Sequence, residues 1–357
     1  LHLLSRRQRQ MCIRDRTYEL LQKHGQENKV KAFSDNNSNK IGKNYLGKRV
    51  IAPEEIKTAN NILVLVSSTA FDLISKQVIE MGIDKNNIYY FQPAGVSLTQ
   101  GSDMMFIREN LDKFENVYEQ LADEKSKKIY RCLLNYRISK SNKYLEEMDD
   151  CIDKEEEQYF DKELMSSYSF CEGFIDAGAY IGDTIEHFYT HFPQYEGKYY
   201  CMEAGEEIYA RLCKAIEKMD GRNIYPYNCA AWDQKGTLQF DTTSFGDGSG
   251  SRISSQPGGV LTPCNAIDNL FVGKTIDFIK MDIEGAEKKA LLGARETIKK
   301  YKPLLAICIY HRQEDFFEIP FTIKKIIEGE YTFYIRQYRY GQSETVLYAM
   351  PKSRKKE

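Results

Sequence analysis

The chain has 357 residues, enough for roughly two domains and a large core. Its 50 Lys and Arg offset 52 Asp and Glu to a net charge of −2, mixed along the chain, so no basic face points to nucleic acid. No apolar run approaches the roughly 18 residues of a membrane span, no secretory signal is evident, and nine cysteines without a CxxC pair read as reduced thiols of a cytoplasmic protein.

Residues 11–16 read MCIRDR, which resembles the translation of a transposon end used in making sequencing libraries. Residues 1–16 are therefore expected to be a non-native replacement of the start, although composition alone reads them as a basic amino-terminal arm. Residues 17–25 then read as a helix, 30–35 (VKAFSD) as a short strand before an Asn-rich turn, and 61–68 (NILVLVSS) as a strongly apolar strand. An amphipathic helix at 71–81 and a short strand at 87–91 complete part of a small Rossmann-like α/β unit spanning 17–100. It is similar to the amino-terminal domain of some sugar-modifying transferases, but the opening strand and glycine-rich turn of such a unit are missing. Residues 101–171 read as a helical connector, with apolar side chains at helical spacing over 105–121 and 126–138, for example Phe106, Leu111, Phe114 and Tyr118. Acidic residues 146–157 are expected to interrupt these helices and face solvent. The helices cover a neighbouring sheet or carry a homo-oligomer contact, and the sequence does not choose.

From residue 172 the organisation changes. Residues 174–183 (FIDAGAYIGD) form an apolar strand ending at Asp176 and a turn through Gly178 and Gly182, followed by a helix over 183–191 that opens with Asp183. The spacing differs from the G-x-G-x-x-G of a dinucleotide fold. Asp176 would repel a phosphate, so the turn suits a cationic or zwitterionic ligand, such as S-adenosylmethionine with its sulfonium and ammonium groups. A second strand, 198–203 (KYYCME), ends in Glu203, placed to accept both ribose hydroxyls. The third strand, 224–229, runs into Ala231, where small residues leave room for the adenine. A glycine-rich stretch at 245–252 (FGDGSGSR) is expected to be a loop that closes over the site or simply connects. A fourth apolar run, 276–281, ends at Asp282 and Glu284, and a fifth, 304–310, ends at His311. Runs 331–337 and 344–350 look like an antiparallel closing hairpin. His187 and His191 have metal-ligand spacing, but no third ligand or H-E-x-x-H pattern accompanies them, and no metal is expected.

Four blocks in order, FIDAGAYIGDT, DFIKMDIEGAEKKALLGA at 277–294, IYHRQEDFFEIP at 309–320 and ETVLYA at 344–349, make residues 174–351 resemble the FkbM family of S-adenosylmethionine-dependent methyltransferases. The resemblance implies a seven-stranded Rossmann-like class I domain with an antiparallel last strand, and O-methylation of sugars or other hydroxylated small molecules. One departure is Ala204-Gly205 after Glu203, where the family more often carries a proline-bearing turn. Such chemistry needs an acceptor oxygen held in line with an activated methyl and a group to take its proton. Asp282, Glu284 and His311 are the catalytic candidates, with His311 the most attractive base because imidazole titrates near neutral pH. Against these stand a strand-capping His311 and a Glu284 that only stabilises a helix dipole. The cofactor set is Asp176, Gly178, Gly182, Asp183, Glu203, Ala231 and Asp282. A different class of function, a nucleotide-sugar-binding protein without methyl transfer, is the alternative.

Overall fold

The computed structural model describes residues 15, 17–19, 21–58, 61–67, 71–90, 103–166, 168, 172–219, 221–241, 252–253 and 259–354. The chain divides into two compact units, with the boundary between residues 94 and 95. Of the suspected non-native segment only Asp15 is described, and of the 245–252 stretch only the backbone of Arg252.

In the first unit, strands Phe33–Ser34 and Asn44–Tyr45 flank Lys48–Ile51. A separate parallel pair, Val64–Val66 with Ile88–Tyr90, is joined through the helix Phe71–Glu80. That crossover is the strand–helix–strand unit expected from the alternation of apolar runs.

The second unit begins with helices α1 (Asp103–Glu109), α2 (Leu111–Gln120), α3 (Glu124–Ser139) and α4 (Lys143–Met148). The helical spacing over 105–121 is realised as α1 and α2, separated at Asn110, which leaves helical dihedrals and turns its side-chain amide back onto the Phe106 carbonyl. Asp123 caps α3 by accepting the Ser126 amide at 2.8 Å. Of residues 146–157, Glu146, Glu147, Asp149, Asp150 and Glu156 face solvent as expected and α4 ends at Met148, while Met148 and Cys151 turn inward and are buried.

The main sheet has seven strands: β1 (Gly173–Ala177), β2 (Lys198–Glu203), β3 (Ile224–Asn228), β4 (Phe278–Met281), β5 (Leu304–Cys308), β6 (Tyr331–Gln337) and β7 (Thr345–Pro351). Their spatial order is β6-β7-β5-β4-β1-β2-β3. β1 to β5 are mutually parallel, and β7 runs antiparallel to both β5 and β6. Every residue of β1, β4, β5 and β7 is buried, which a strand reaches only when both faces of its sheet are covered. On one face Phe174, Tyr199, Phe278 and Tyr348 pack with Phe160, Ile185, Phe188 and Leu212. The last two side chains come from helices α5 (Asp183–His191) and α6 (Glu206–Ile216). Three more helices, α7 (Glu287–Leu292), α8 (Arg295–Tyr301) and α9 (Asp315–Ile326), follow β4 and β5.

Between β3 and β4 lies a second sheet that the sequence reading did not contain, ordered Arg252–Ile253, Gly236–Asp241, Val260–Asn265 and Ala230–Ala231. The direction of the main sheet's winding reverses between β1 and β4, and open parallel sheets bind ligands at such a point, outside the carboxyl ends of the strands. Ala177 pairs with Met281, so Gly178 and Asp282 leave the sheet side by side.

Candidate functional site

The turn after β1 is shaped by contacts inside the protein. Gly178 has φ +81°, and a Cβ there would stand 2.0 Å from the backbone oxygen of Asp282, so only glycine lets the β1 and β4 loops approach. Gly182, at φ +90°, starts α5 against Leu212 and Ile185 of the neighbouring packing layer. Half-buried Asp183 is the first residue of that helix.

Asp176 does not face the turn as expected. It is fully buried, with Oδ1 accepting from Lys280 Nζ at 2.8 Å and Oδ2 from Tyr199 Oη at 2.9 Å. Burial pushes its carboxyl up and Lys280 pulls it back, while Lys280, which burial alone would lower, is held protonated by Asp176 and Asp282. The expected repulsion of phosphate by Asp176 therefore fails, because its charge is paired inside the core. Lys280 also donates to the Gly178 carbonyl at 2.7 Å, which ties the ion pair to the glycine turn. A lysine inside the apolar run of β4 was the sequence signal for this pair, since lysine is almost never buried without a partner.

Glu203 ends β2 with its carboxylate accepting the Tyr180 amide on Oε2 at 3.0 Å and the Gly205 amide on Oε1 at 2.8 Å. One side chain thus fastens the loops after β1 and β2. A carboxylate offers about four lone-pair positions, so acceptor capacity remains for two hydroxyls. Burial raises its pKa, and the two amides oppose that rise. Asn228, at the end of β3, supports it by donating to the Glu203 carbonyl at 3.0 Å. Ala231 is buried in the two-residue strand of the second sheet, which packs beside β2.

Asp282, Glu284 and His311 come together at the end of β4 and β5. The His311 ring stands among three carboxylates: Nδ1 is 2.9 Å from Glu287 Oε1, and Nε2 is 3.2 Å from Asp282 Oδ1 and 3.8 Å from Glu284 Oε2. The Asp282 contact is off the line of the Nε2–H bond, so this buried donor has no aligned hydrogen-bond acceptor among the described residues. The His311 side chain is 6% exposed. Burial alone would lower its pKa, but Glu287, Glu284 and Asp282 overcome that and raise it well above the ordinary value. His311 is consequently an imidazolium at neutral pH and a donor, not the free base expected from its residue type. Asp282 is the complement: burial alone would raise it, yet His311, Lys280 and Tyr159 hold it well below the usual carboxylate range. Tyr159 Oη donates to its Oδ2 at 2.7 Å and Tyr310 Oη to its Oδ1 at 3.3 Å.

Glu284 differs from both. A third of its side chain meets solvent (34%), yet protein encloses the rest of the carboxylate, and burial pushes its pKa up to about 7. It sits at φ +56°, and Tyr159, Tyr180 and Glu344 share this left-handed conformation, unusual for residues other than glycine. Strain of this kind persists where surrounding contacts over-determine the backbone, commonly at functional sites.

Glu287 is the residue that the sequence reading passed over. It is fully buried and its Oε1 accepts both His311 and the Ile283 amide, at 2.9 Å each. Asp282, Glu287 and His311 each bring a possible metal-ligand atom within 4.8 Å of the others. However, the two carboxylates engage opposite nitrogens of the ring, whose lone pairs diverge, so one ion cannot reach all three without rearrangement. His187 and His191 lie one helical turn apart, with His191 Nδ1 2.9 Å from the His187 carbonyl.

A family model for the methyltransferase FkbM domain matches residues 176–340, and one for a C2185-like N-terminal region matches residues 13–89. No curated protein matches the chain. Among solved structures, a methyltransferase FkbM from Methylobacillus flagellatus KT is similar over 90% of this chain and 83% of its own, with 22% identity and a TM-score of 0.68. At that identity the likeness shows the fold, here an α/β Rossmann-like methyltransferase sheet. An rRNA methylase from Streptococcus thermophilus shares 12% identity over 54% of this chain and 92% of its own, at a TM-score of 0.35, too weak to bear on function. Residues 176–340 are a methyltransferase FkbM domain, and the chain that carries it is an S-adenosylmethionine-dependent methyltransferase.

Proposed function

We propose that the chain methylates a hydroxyl oxygen of a sugar, a glycan precursor or another small metabolite. The observation that carries this reading is the convergence of Asp282, Glu284 and His311 directly beside Gly178, at the point where the sheet reverses. S-adenosylmethionine, when bound, supplies a methyl already activated on a sulfonium. The chain's own residues bind, orient and move a proton. Glu203 would accept from the ribose hydroxyls, Ala231 would border the adenine, and the turn of Gly178 and Gly182, with Asp183 and Asp282, would hold the remainder.

The imidazolium of His311 presents its unaligned Nε2–H to the acceptor oxygen and orients it. Glu284 would take the proton that the hydroxyl gives up as its oxygen is methylated. A base with a pKa near the working pH is suited to that transfer. The surrounding carboxylates disfavour an anionic acceptor, which supports a neutral hydroxyl. Activity is then expected to rise through about pH 7 as Glu284 loses its proton, and to fall at higher pH as His311 becomes neutral.

Calorimetric titration of S-adenosylhomocysteine and transfer of labelled methyl to a panel of neutral sugars test the reading together. Glu203→Ala should weaken binding by roughly tenfold or more, the loss of a charge-assisted pair of hydrogen bonds. Asp282→Ala and His311→Ala should abolish transfer, with His311→Ala still binding. A thermal shift with UDP-sugars alone, and none with S-adenosylmethionine, would overturn the proposal in favour of nucleotide-sugar binding.

A further inference from the structure

The shortest contact to Asp282 comes from outside the matched domain. Residues 152–160 form a strap along the turn between β6 and β7: Ile152 bridges Gln337, the Asp153 amide donates to the Gln337 carbonyl at 2.8 Å, and Arg339 pairs with both Glu155 and Glu344. Gln158 Nε2 donates to Glu344 Oε2 at 2.7 Å and to Tyr159 Oη at 3.1 Å. Tyr159 Oη in turn donates to Asp282 Oδ2 at 2.7 Å, while the Tyr159 ring lies 5.1 Å from Lys280 Nζ. The hydroxyl is therefore loaded from one side and discharged onto Asp282 on the other, an order in which each bond strengthens the next. Tyr159 is buried and held at φ +70°, a conformation that tyrosine adopts only under constraint. Burial and the Asp282 charge raise its pKa well above the ordinary value, so the phenol stays a donor across the working pH range.

We propose that Tyr159 is a positioning residue for Asp282, supplied to the methyl-transfer site by a segment that precedes the matched domain. The other two partners of Asp282 are weaker holds, since Tyr310 is 3.3 Å away and His311 is out of line. Without the Tyr159 hydroxyl, Oδ2 loses its donor and the carboxylate turns away from His311. The inference rests on the reading of Asp282 as part of the site, and its test has a readout that needs no acceptor.

In the full chain, the titration of His311 is followed by NMR of 13C-labelled histidine, with His311→Gln assigning the signal among the five histidines. Asp282→Asn sets the scale: with that charge gone, the His311 midpoint falls. Tyr159→Phe should lower the midpoint in the same direction by a smaller amount, about half a unit or more, and Gln158→Leu by less again. Circular dichroism and thermal unfolding confirm that each variant is folded. An unmoved or raised midpoint in folded Tyr159→Phe means that Asp282 keeps its place unaided, and the proposal fails. If instead Asp282→Asn leaves methyl transfer intact, the reading of the site fails while the titration still decides the role of Tyr159.

Discussion

Glu284 combines two costs in one residue, a left-handed backbone and a carboxyl whose pKa burial has moved from an ordinary 4.5 to about 7. The sign of the second cost follows from proton linkage. Between about pH 4.5 and 7 the folded state binds a proton that the unfolded state has released, so stability falls as pH rises through that window and levels off above it. Glu284→Gln removes the penalty. Its unfolding free energy should exceed that of the native chain at pH 8, by on the order of 1 kcal/mol once solvent screening of a side chain one-third exposed is allowed for. The advantage should be largely gone at pH 5, where native Glu284 is mostly protonated. A constant difference between the two pH values would place the effect in the backbone and not in the charge. At this scale sequence reading reached Asp282, Glu284 and His311, because acids and a histidine at strand ends are conspicuous. It could not reach Tyr159, which meets Asp282 across 123 positions of chain, or the state of His311, to which Glu287 at the start of α7 contributes.

The pairing of β1 with β4 explains how a buried charge is tolerated in the centre of the sheet. Lys280 and Asp176 face each other in register across the two strands, and both are enclosed. Replacing a buried ion pair by neutral groups is often nearly neutral, whereas removing one partner strands the other charge and costs about 3–5 kcal/mol. Lys280→Met should therefore destabilise strongly in urea denaturation, and Asp176→Asn in the same chain should restore much of the loss, since an amide can still accept from Tyr199. Additive losses would show that the two groups do not stabilise each other. The strands themselves were legible: KYYCME and the closing hairpin fall where the apolar patterning places them, within a residue. The second sheet was not. Val260–Asn265 carries an exposed proline between buried Thr262 and Cys264 and leaves its two aliphatic residues, Val260 and Leu261, exposed, so its apolar pattern does not mark a strand.

At the scale of the second unit, Arg336 joins backbone hydrogen bonds such as Ala122 to Phe333 in binding the helical layer to the sheet. Arg336 on β6 is fully buried; its Nη2 meets Asp123 Oδ2 at 2.8 Å, its Nη1 meets Ser126 Oγ at 3.0 Å, and its Nε lies 3.3 Å from Asp161 Oδ2. Asp123 and Asp161 are themselves helix caps, accepting the amides of Ser126 and Leu164. A single guanidinium thus fixes the start of α3 and the start of the helix Lys162–Met165, the two ends of the segment that delivers the strap to the site. Sequence spacing suggested that these helices cover the sheet or form a dimer contact; the side chains that seat them on the sheet lie more than 170 residues apart. Arg336→Leu leaves the 4%-exposed Asp161 carboxylate without its cation and should cost about 3–5 kcal/mol. More specifically, it should uncouple the layer. In the native chain, hydrogen exchange in α3 and the fluorescence of Trp232, the only tryptophan, should report one cooperative loss of structure in urea. In Arg336→Leu, α3 should exchange at lower denaturant than Trp232 responds. If α3 keeps the protection of the sheet, its apolar packing against β6 suffices, and Arg336 serves only to neutralise the two caps.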